Sequence, residues 1–286
     1  MKRKKLSEIM GYVYIYSSAI IVFGILIFIL LDITYKSTGI LSWEFISQSP
    51  RKGMEEGGIF PCIIGTFYVS ILTVIFSVPL GIFSAIYLNE YAKDTKLTRL
   101  IRIAIRNLSG VPSIVYGLFG VVLFVDFFRF GTSILSAGLT LGLLTLPWTI
   151  TASEEALKTV PKSYREGALA LGATKWQSIR TNVLPYAIPG IITGTILGLS
   201  RAAGETAPIL FTGAAFFLPR VPESLFDQFM ALPYHLYIMS TQHHDIEGVR
   251  PIAYGTALVL IAIVLLMNLA AIRIRYKYRK KIKGRG

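Results

Sequence analysis

Cysteine is all but missing from this chain. Cys62 is the single one in 286 residues, which excludes an intrachain disulfide and leaves the redox compartment unmarked. Acidic residues are few, 16 against 29 basic, for a net charge of +13. In a soluble protein that balance points to nucleic acid. Here the basic residues flank apolar runs, so they read as topology signals, and no nucleic-acid partner is expected. No Gly-x4-Gly-Lys-Ser/Thr sequence is present to hold nucleotide phosphates, so an ATP-driven step belongs to another polypeptide. Internal repeats, low-complexity linkers and a second soluble domain are also lacking.

Apolar sequence is abundant: 53% of the residues, in blocks of which several reach the roughly 18 residues that a membrane-crossing helix needs. The expected fold is an all-α polytopic membrane protein. Six transmembrane helices are expected near residues 12–31, 60–88, 104–128, 132–151, 184–216 and 251–273. The first follows a basic start, Lys2 to Lys5. Its apolar run, from about Tyr12 to Leu31, is too long for a signal-peptide core and ends at Asp32 without a small-residue cleavage site, so it reads as an uncleaved span. Placing the N-terminus in the cytosol gathers Lys2 to Lys5, the Lys93-to-Arg106 cluster, the Lys158-to-Arg180 loop and the Arg273-to-Arg285 tail on the inside. Both termini are therefore expected to be cytoplasmic in a multi-pass protein of the cell membrane.

Single features add detail. Span 2 carries Gly65, Pro79 and Gly81, which suits a helix packed inside a bundle. Span 3 opens with NLSGVPSIVYG. Asn107, Ser109, Gly110, Pro112 and Ser113 fit either a locally unwound helix lining protein or a cavity, or a helix that starts after Pro112. Span 4 is rich in Gly, Ser and Thr, which permits close helix approach. Ser153, Glu154, Glu155 and Ala156 extend that helix into the cytosol until near Pro161. Before span 6, FDQFMALPYHLYI reads as a short interfacial helix or as a docking surface for an external protein. His243-His244-Asp245 reads as a solvated stretch, the alternative being metal ligation.

Two stretches carry mechanism. In the loop after span 4, Tyr164, Ala168 and Leu171 form one apolar stripe of a short helix that Gly172 ends. Trp176, Ile179 and Val183 form a second stripe, with Trp176 as a packing anchor. Such a pair lies flat under the membrane, its free face suited to a partner's groove or to lipid headgroups. In span 5, Gly190, Gly194 and Gly198 make a small-residue ladder. At about 100° per residue from Gly190, Gly198 lies near 80°, Arg201 near 20° and Glu205 near 60°, so both charges share the ladder's face. An ionisable residue at mid-membrane costs at least ~2.5–3.5 kcal/mol, so each needs a function or a partner. One reading sets Arg201 along an anion path, its guanidinium matching an oxyanion bidentately and Glu205 holding it in place. The other is a closed ion pair that fixes helix packing. Pro208 cannot donate to the Gly204 carbonyl, so a kink is expected beside the charges.

Glu166-Gly167-Ala168, three residues, Gly172, nine residues and Asn182-x-Leu184-Pro185 together resemble the EAA loop of ABC importer permeases, EAA-x3-G-x9-I-x-LP. The departures are Gly167 for alanine and Asn182 for isoleucine. GVPSIVYGLFG, LPWTITASEEALKTVP and LSRAAGETAPILFTGA are similar to the phosphate-specific (Pst) ABC importers, and GETAPILFT resembles their A-type permease subunit. The resemblance runs from about Gly58 to Tyr276. It implies a type I ABC importer permease fold over residues 60–286, preceded by an N-terminal helix and outer segment over 1–59. It implies a cytoplasmic coupling helix at which Glu166, Gly167, Ala168, Gly172, Leu184 and Pro185 meet an ATPase. The implied task is passage of inorganic phosphate, without bond chemistry or a cofactor, with Arg201 and Glu205 on the route. The implied assembly is a heterodimer with a C-type permease, two copies of an ATP-binding subunit and an extracytoplasmic phosphate-binding protein. A permease for phosphonate or molybdate is the nearest alternative. An ion-coupled secondary transporter with Glu205 as proton carrier is the other, and it calls for inverted repeats, of which none is detected.

Overall fold

The structure, a computed structural model, describes residues 2–283, with side chains from 10 to 280. Helix α1 (Lys2–Ser37) is followed by the short α2 (Trp43–Ser47) and a hairpin of β1 (Pro50–Arg51) and β2 (Glu56–Gly57). Then come α3 (Phe60–Ile86), α4 (Lys96–Leu108), α5 (Ser113–Gly120) and α6 (Ile134–Lys158). The second half holds α7 (Lys162–Ala170), α8 (Lys175–Ser178), α9 (Leu184–Ala202), α10 (Ala207–Thr212), α11 (Leu232–Thr241) and α12 (Arg250–Lys283). Wide helical turns extend α3 to Tyr91 and α5 to Phe127, and another joins α8 to α9 across Ile179–Val183.

Among the described residues, five stretches are long and apolar enough to cross a membrane: Met10–Ser37, Phe60–Tyr91, Ile134–Lys158, Lys175–Ala202 and Arg250–Lys280. The expected third span is a bent pair instead, with α4 and the α5 stretch meeting at 102°. Pro112 has no N–H and disfavours helical backbone at Val111, so α4 ends at Leu108 and a new helix begins at Ser113. That settles the start after Pro112. α4 itself is amphipathic, with Arg99, Arg102 and Arg106 set among Leu97, Leu100 and Ile103. The expected fifth span also divides. α9 stops at Ala202 and α10 resumes at Ala207 with Pro208 in its first turn, where a missing N–H is harmless.

α6 is the central helix, packed along α3 on one side and α9 on the other. Its face toward α3 is a seam of small and hydroxylated residues. Thr73 donates to the Val69 carbonyl at 2.8 Å and Thr149, which lies against Gly81 of α3, to the Thr145 carbonyl at 3.2 Å, so these hydroxyls are satisfied within their own helices. Gly138 lies against Leu72 and Gly142 against Phe76, at separations that leave no room for a Cβ.

Apolar packing concentrates at the two ends of the bundle. At one end Ala85, Ile86, Leu157, Ile179, Val183 and Ala187 join α3, α6 and the α8–α9 segment. At the other, Phe45, Met54, Ile59, Cys62, Phe229 and Leu232 join the hairpin region, α3 and α11. The stretch around α11 is therefore mostly core, with Phe226 and Tyr237 left exposed. Phe229, Leu232 and Ile238 are fully buried, and the Leu232 N–H donates to Thr66 Oγ1 at 2.8 Å. Its apolar residues cap the bundle from within. The hairpin turn Lys52-Gly53-Met54 has φ of 46°, 66° and 81°, an unfavourable run for two non-glycine residues. Burial of the Met54 side chain in the core offsets it.

Candidate coupling and translocation site

The segment between α6 and α9 folds as its sequence suggests. Pro161 precedes α7, and Gly172 ends it at φ 84°, in the left-handed region that glycine enters freely. The Ala173 N–H then closes on the Ala168 carbonyl at 3.1 Å. Thr174 starts α8 with a capping box, its hydroxyl accepting from Gln177 N–H while the Gln177 side chain accepts from Thr174 N–H. The two expected stripes behave differently. Ile179 and Val183 are buried, whereas Leu171 is 90% exposed and Trp176 stays largely open. Of the α7 stripe only Ala168 turns inward, and Tyr164 packs its ring edge-on to Tyr186 at 4.5 Å. Gly167 faces open space where an alanine methyl would meet nothing within 4 Å, so its departure from the motif disturbs no packing.

Arg165 anchors this segment. Its Nη2 lies 2.6 Å from Glu90 Oε1, with the pair's side chains 19% and 6% exposed. Nη1 donates to the Val160 carbonyl at 2.8 Å and Nη2 to the Leu157 carbonyl at 3.0 Å. One guanidinium thus ties α7 to the wide last turn of α3 and to the carbonyl end of α6, where helix polarity favours a cation. Asn89 adds a 2.8 Å bond to the same carboxylate. Alongside, Glu166 lines a recess of about 370 Å³ together with Lys158, Lys162 and Arg165. A second inner tie joins α4 to α6, Arg102 Nε lying 2.8 Å from Glu154 Oε1.

Toward the far end of α9 the glycine ladder seats on α6. Gly190 lies against Ala156, Gly194 against Ala152, and Gly198 near Thr145, Trp148 and Thr149. Arg201 continues that line, its Cζ 5.6 Å from the centroid of the Trp148 ring. Its Nε donates to Glu205 Oε1 at 3.1 Å, with the two side chains 43% and 16% exposed. Glu205 sits in the break between α9 and α10. Among the described residues the Arg201 Nη groups have no hydrogen-bond partner. The pair is not sealed: one edge of the guanidinium holds Glu205, and the other is open. Lateral bonds fix α9 to α12, from Ser200 Oγ to Asn268 Oδ1 at 2.6 Å and from Arg275 Nη1 to Thr193 Oγ1 at 3.1 Å.

Residues 77–284 match the family described as "Binding-protein-dependent transport system inner membrane component". The chain is a member of this family. It is thus a multi-pass membrane permease, a transport component and not an enzyme. The permease is 35% identical over 265 residues to the "Probable ABC transporter permease protein YqgI" of Bacillus subtilis (strain 168), covering 88% of this chain and 90% of that one. It is 37% identical over 221 residues to the "Phosphate transport system permease protein PstA 1" of Mycobacterium tuberculosis (strain CDC 1551 / Oshkosh), covering 77% of this chain and 71% of the relative. A crystal structure of a bacterial ABC transporter involved in the import of the acidic polysaccharide alginate superposes with a TM-score of 0.67 at 15% identity, over 96% of both chains. That likeness bears on the fold alone.

The structure also brings forward residues of the permease that sequence reading passed over. Arg165 registers in the sequence only as an inside charge, and Glu90 not at all. The available signal is a lone acid at the end of span 2 facing an arginine directly before the EAA-like loop. His243, expected to be solvated, is buried, and its neighbour His244 is exposed.

Proposed function

We propose that this permease is the A-type subunit of an ATP-driven importer that carries inorganic phosphate into the cytoplasm. Phosphate comes from the names of relatives at substantial identity. The chemistry comes from Arg201, and that observation carries the reading: a half-exposed guanidinium on the last turn of α9, held by Glu205 through Nε alone, keeps its two Nη groups free for an oxyanion. A bidentate Arg–phosphate contact needs that free edge. Glu205 keeps the cation in place and competes for it, so that the anion is released.

In this reading both termini are cytoplasmic, and α7 with Gly172, Leu184 and Pro185 is the coupling segment. Glu166, Gly167 and the exposed Leu171 face an ATP-binding subunit, while Ala168 packs inward. Two such subunits sit beneath a heterodimer of this chain with a C-type permease, and an external phosphate-binding protein delivers the cargo. Residues 60–286 form the permease domain and 1–59 an added helix and outer segment. Nucleotide-driven closure moves α7, and Arg165 passes the movement to α3 and α6.

The test is uptake of radiolabelled phosphate by the reconstituted complex. Wild type requires ATP and the binding protein. Arg201→Gln abolishes uptake while assembly and binding-protein-stimulated ATP hydrolysis persist; uptake at the wild-type rate in that variant overturns the path assignment. Uptake driven by a proton gradient without ATP overturns the class. Uptake of labelled molybdate or phosphonate by the wild-type complex, with no uptake of labelled phosphate, overturns the cargo.

A further inference from the structure

We propose that Glu55, His243 and His244 form a site for a divalent transition-metal ion, Zn²⁺ by the chemistry of its donors, which fastens the β1–β2 hairpin to the loop between α11 and α12. The site lies at the hairpin end of the bundle, opposite α7, and takes no part in the transport chemistry described above.

Three observations carry it. First, one donor atom from each of the three residues lies within 4.8 Å of the other two. They come from segments about 190 residues apart, His243 bonding back to Gly53 across the gap. His244 Nε2 is already 3.0 Å from Glu55 Oε1. Second, the most buried member is oriented as a ligand is. His243 Nδ1 accepts the Asp245 N–H at 3.1 Å, which leaves the ring proton on Nε2, and Nε2 donates it to the Gly53 carbonyl at 3.1 Å. Ligating histidines usually hold their second N–H on a backbone carbonyl or carboxylate, which fixes ring and tautomer. Coordination through Nδ1 exchanges the Asp245 bond for the ion and keeps the Gly53 bond. Third, the donor set is selective. Two imidazoles and one carboxylate suit zinc with an open fourth position, whereas calcium and magnesium require mostly oxygen ligands.

The backbone supports the arrangement. The left-handed turn at Lys52, Gly53 and Met54 presents the Gly53 carbonyl to one histidine and the following Glu55 to the other. The two imidazole rings lie 4.4 Å apart, centroid to centroid. His244 and Glu55 are exposed, so an ion has a direct entry from solvent.

The experiment uses protein purified from its native membrane with the subunits that accompany it, stripped with EDTA and titrated with ZnCl₂ by calorimetry. The wild type is expected to bind one more Zn²⁺ per copy of this chain than His244→Ala, and Glu55→Gln to bind it at least tenfold more weakly. Zn²⁺ is expected to raise the unfolding midpoint of the wild type and not that of either variant, while Mg²⁺ shifts none of them. Comparison with the variants removes zinc bound by other subunits. Both substituted side chains are exposed enough that metal-free midpoints should match the wild type. Equal zinc stoichiometry and equal midpoint shifts in all three proteins overturn the proposal, as does a wild type that takes up no zinc.

Discussion

Replacing Arg165 with alanine deletes at once the Glu90 ion pair and the donors to the Leu157 and Val160 carbonyls. Glu90 is 6% exposed, so its carboxylate is then left in a nearly dry site with the Asn89 amide for company. Removing one partner from such a pair costs about 3–5 kcal/mol. Glu90→Gln keeps a neutral acceptor for the guanidinium and is expected to cost less, about 1–2 kcal/mol, the difference between a charge-assisted and an ordinary hydrogen bond. The double alanine variant removes both charges together. Its cost should fall short of the summed costs of Arg165→Ala and Glu90→Ala by about 2–3 kcal/mol. Unfolding free energies from denaturant titration in mixed micelles measure this cycle. The same link gives a transport signature, because it is where α7 meets the ends of α3 and α6. ATP-driven phosphate uptake in Arg165→Ala should fall at least about tenfold, a loss of ~1.4 kcal/mol in transmission, while ATP hydrolysis by the associated subunits falls less. Additive stabilities, or full uptake by an assembled Arg165→Ala complex, refute the reasoning.

Gly172→Val forces a β-branched residue to φ 84° at a cost of about 1–2 kcal/mol, although the space around it is open; retention of the ATPase on co-purification should drop, and unchanged retention would count against the coupling role. Gly194→Leu drives a side chain into Ala152 and should cost about 1–3 kcal/mol or more by overpacking, whereas Gly24→Leu, with nothing within 4 Å, should leave thermal stability unchanged; equal effects would dissolve the ladder argument. Acidification should loosen the end of the bundle that holds α11. Burial first, and the nearby His243 second, push the His235 imidazole from 6.5 to about 4. Its folded pKa lies below its unfolded one, so the contribution is complete above pH 6.5 and is lost as pH falls from 6.5 toward 4. The full loss is about 3 kcal/mol, read as a fall in unfolding midpoint that His235→Gln abolishes; a pH-independent midpoint over that window would refute it.

Four of the six span positions, all but the third and fifth, and the helix–turn–helix form of the α7–α8 segment were legible because each rests on a local cue. Hydropathy marks the apolar blocks, Gly172 marks the end of α7, and the Trp176, Ile179 and Val183 stripe marks the segment that follows. The Arg201–Glu205 contact was expected from helical spacing, but it forms across the end of α9, with Glu205 in the break that follows. Pro112 is consistent with both a kink and a fresh start, and only packing separates the two. Pro208 signalled a distortion at Gly204, but the backbone resolves it by ending α9 at Ala202 and placing the proline in the first turn of α10, the position that tolerates it. What could not be read depends on distant pairing. Glu90 and Arg165 are 75 residues apart in sequence, and His243 meets Gly53 across 190. The apolar character of the α11 region fits a surface film as well as a core until Gly65 and Thr66 are seen to receive it.

The contact between α6 and α9 has a mechanical consequence. At Gly190 and Gly194 the helices meet with nothing longer than the methyls of Ala156 and Ala152 between them. No interlocked rotamers resist rotation there, so the joint acts as a smooth bearing, while the bonds from Ser200 and Thr193 gear α9 to α12 so that the two swing as one lever. Arg201 lies eleven residues from Gly190, an arm of about 16 Å at 1.5 Å per residue. Each degree of swing about that pivot carries the guanidinium through about 0.3 Å. Ten degrees is then enough to move it by roughly a hydrogen-bond length, the distance that separates a made hydrogen bond from a broken one.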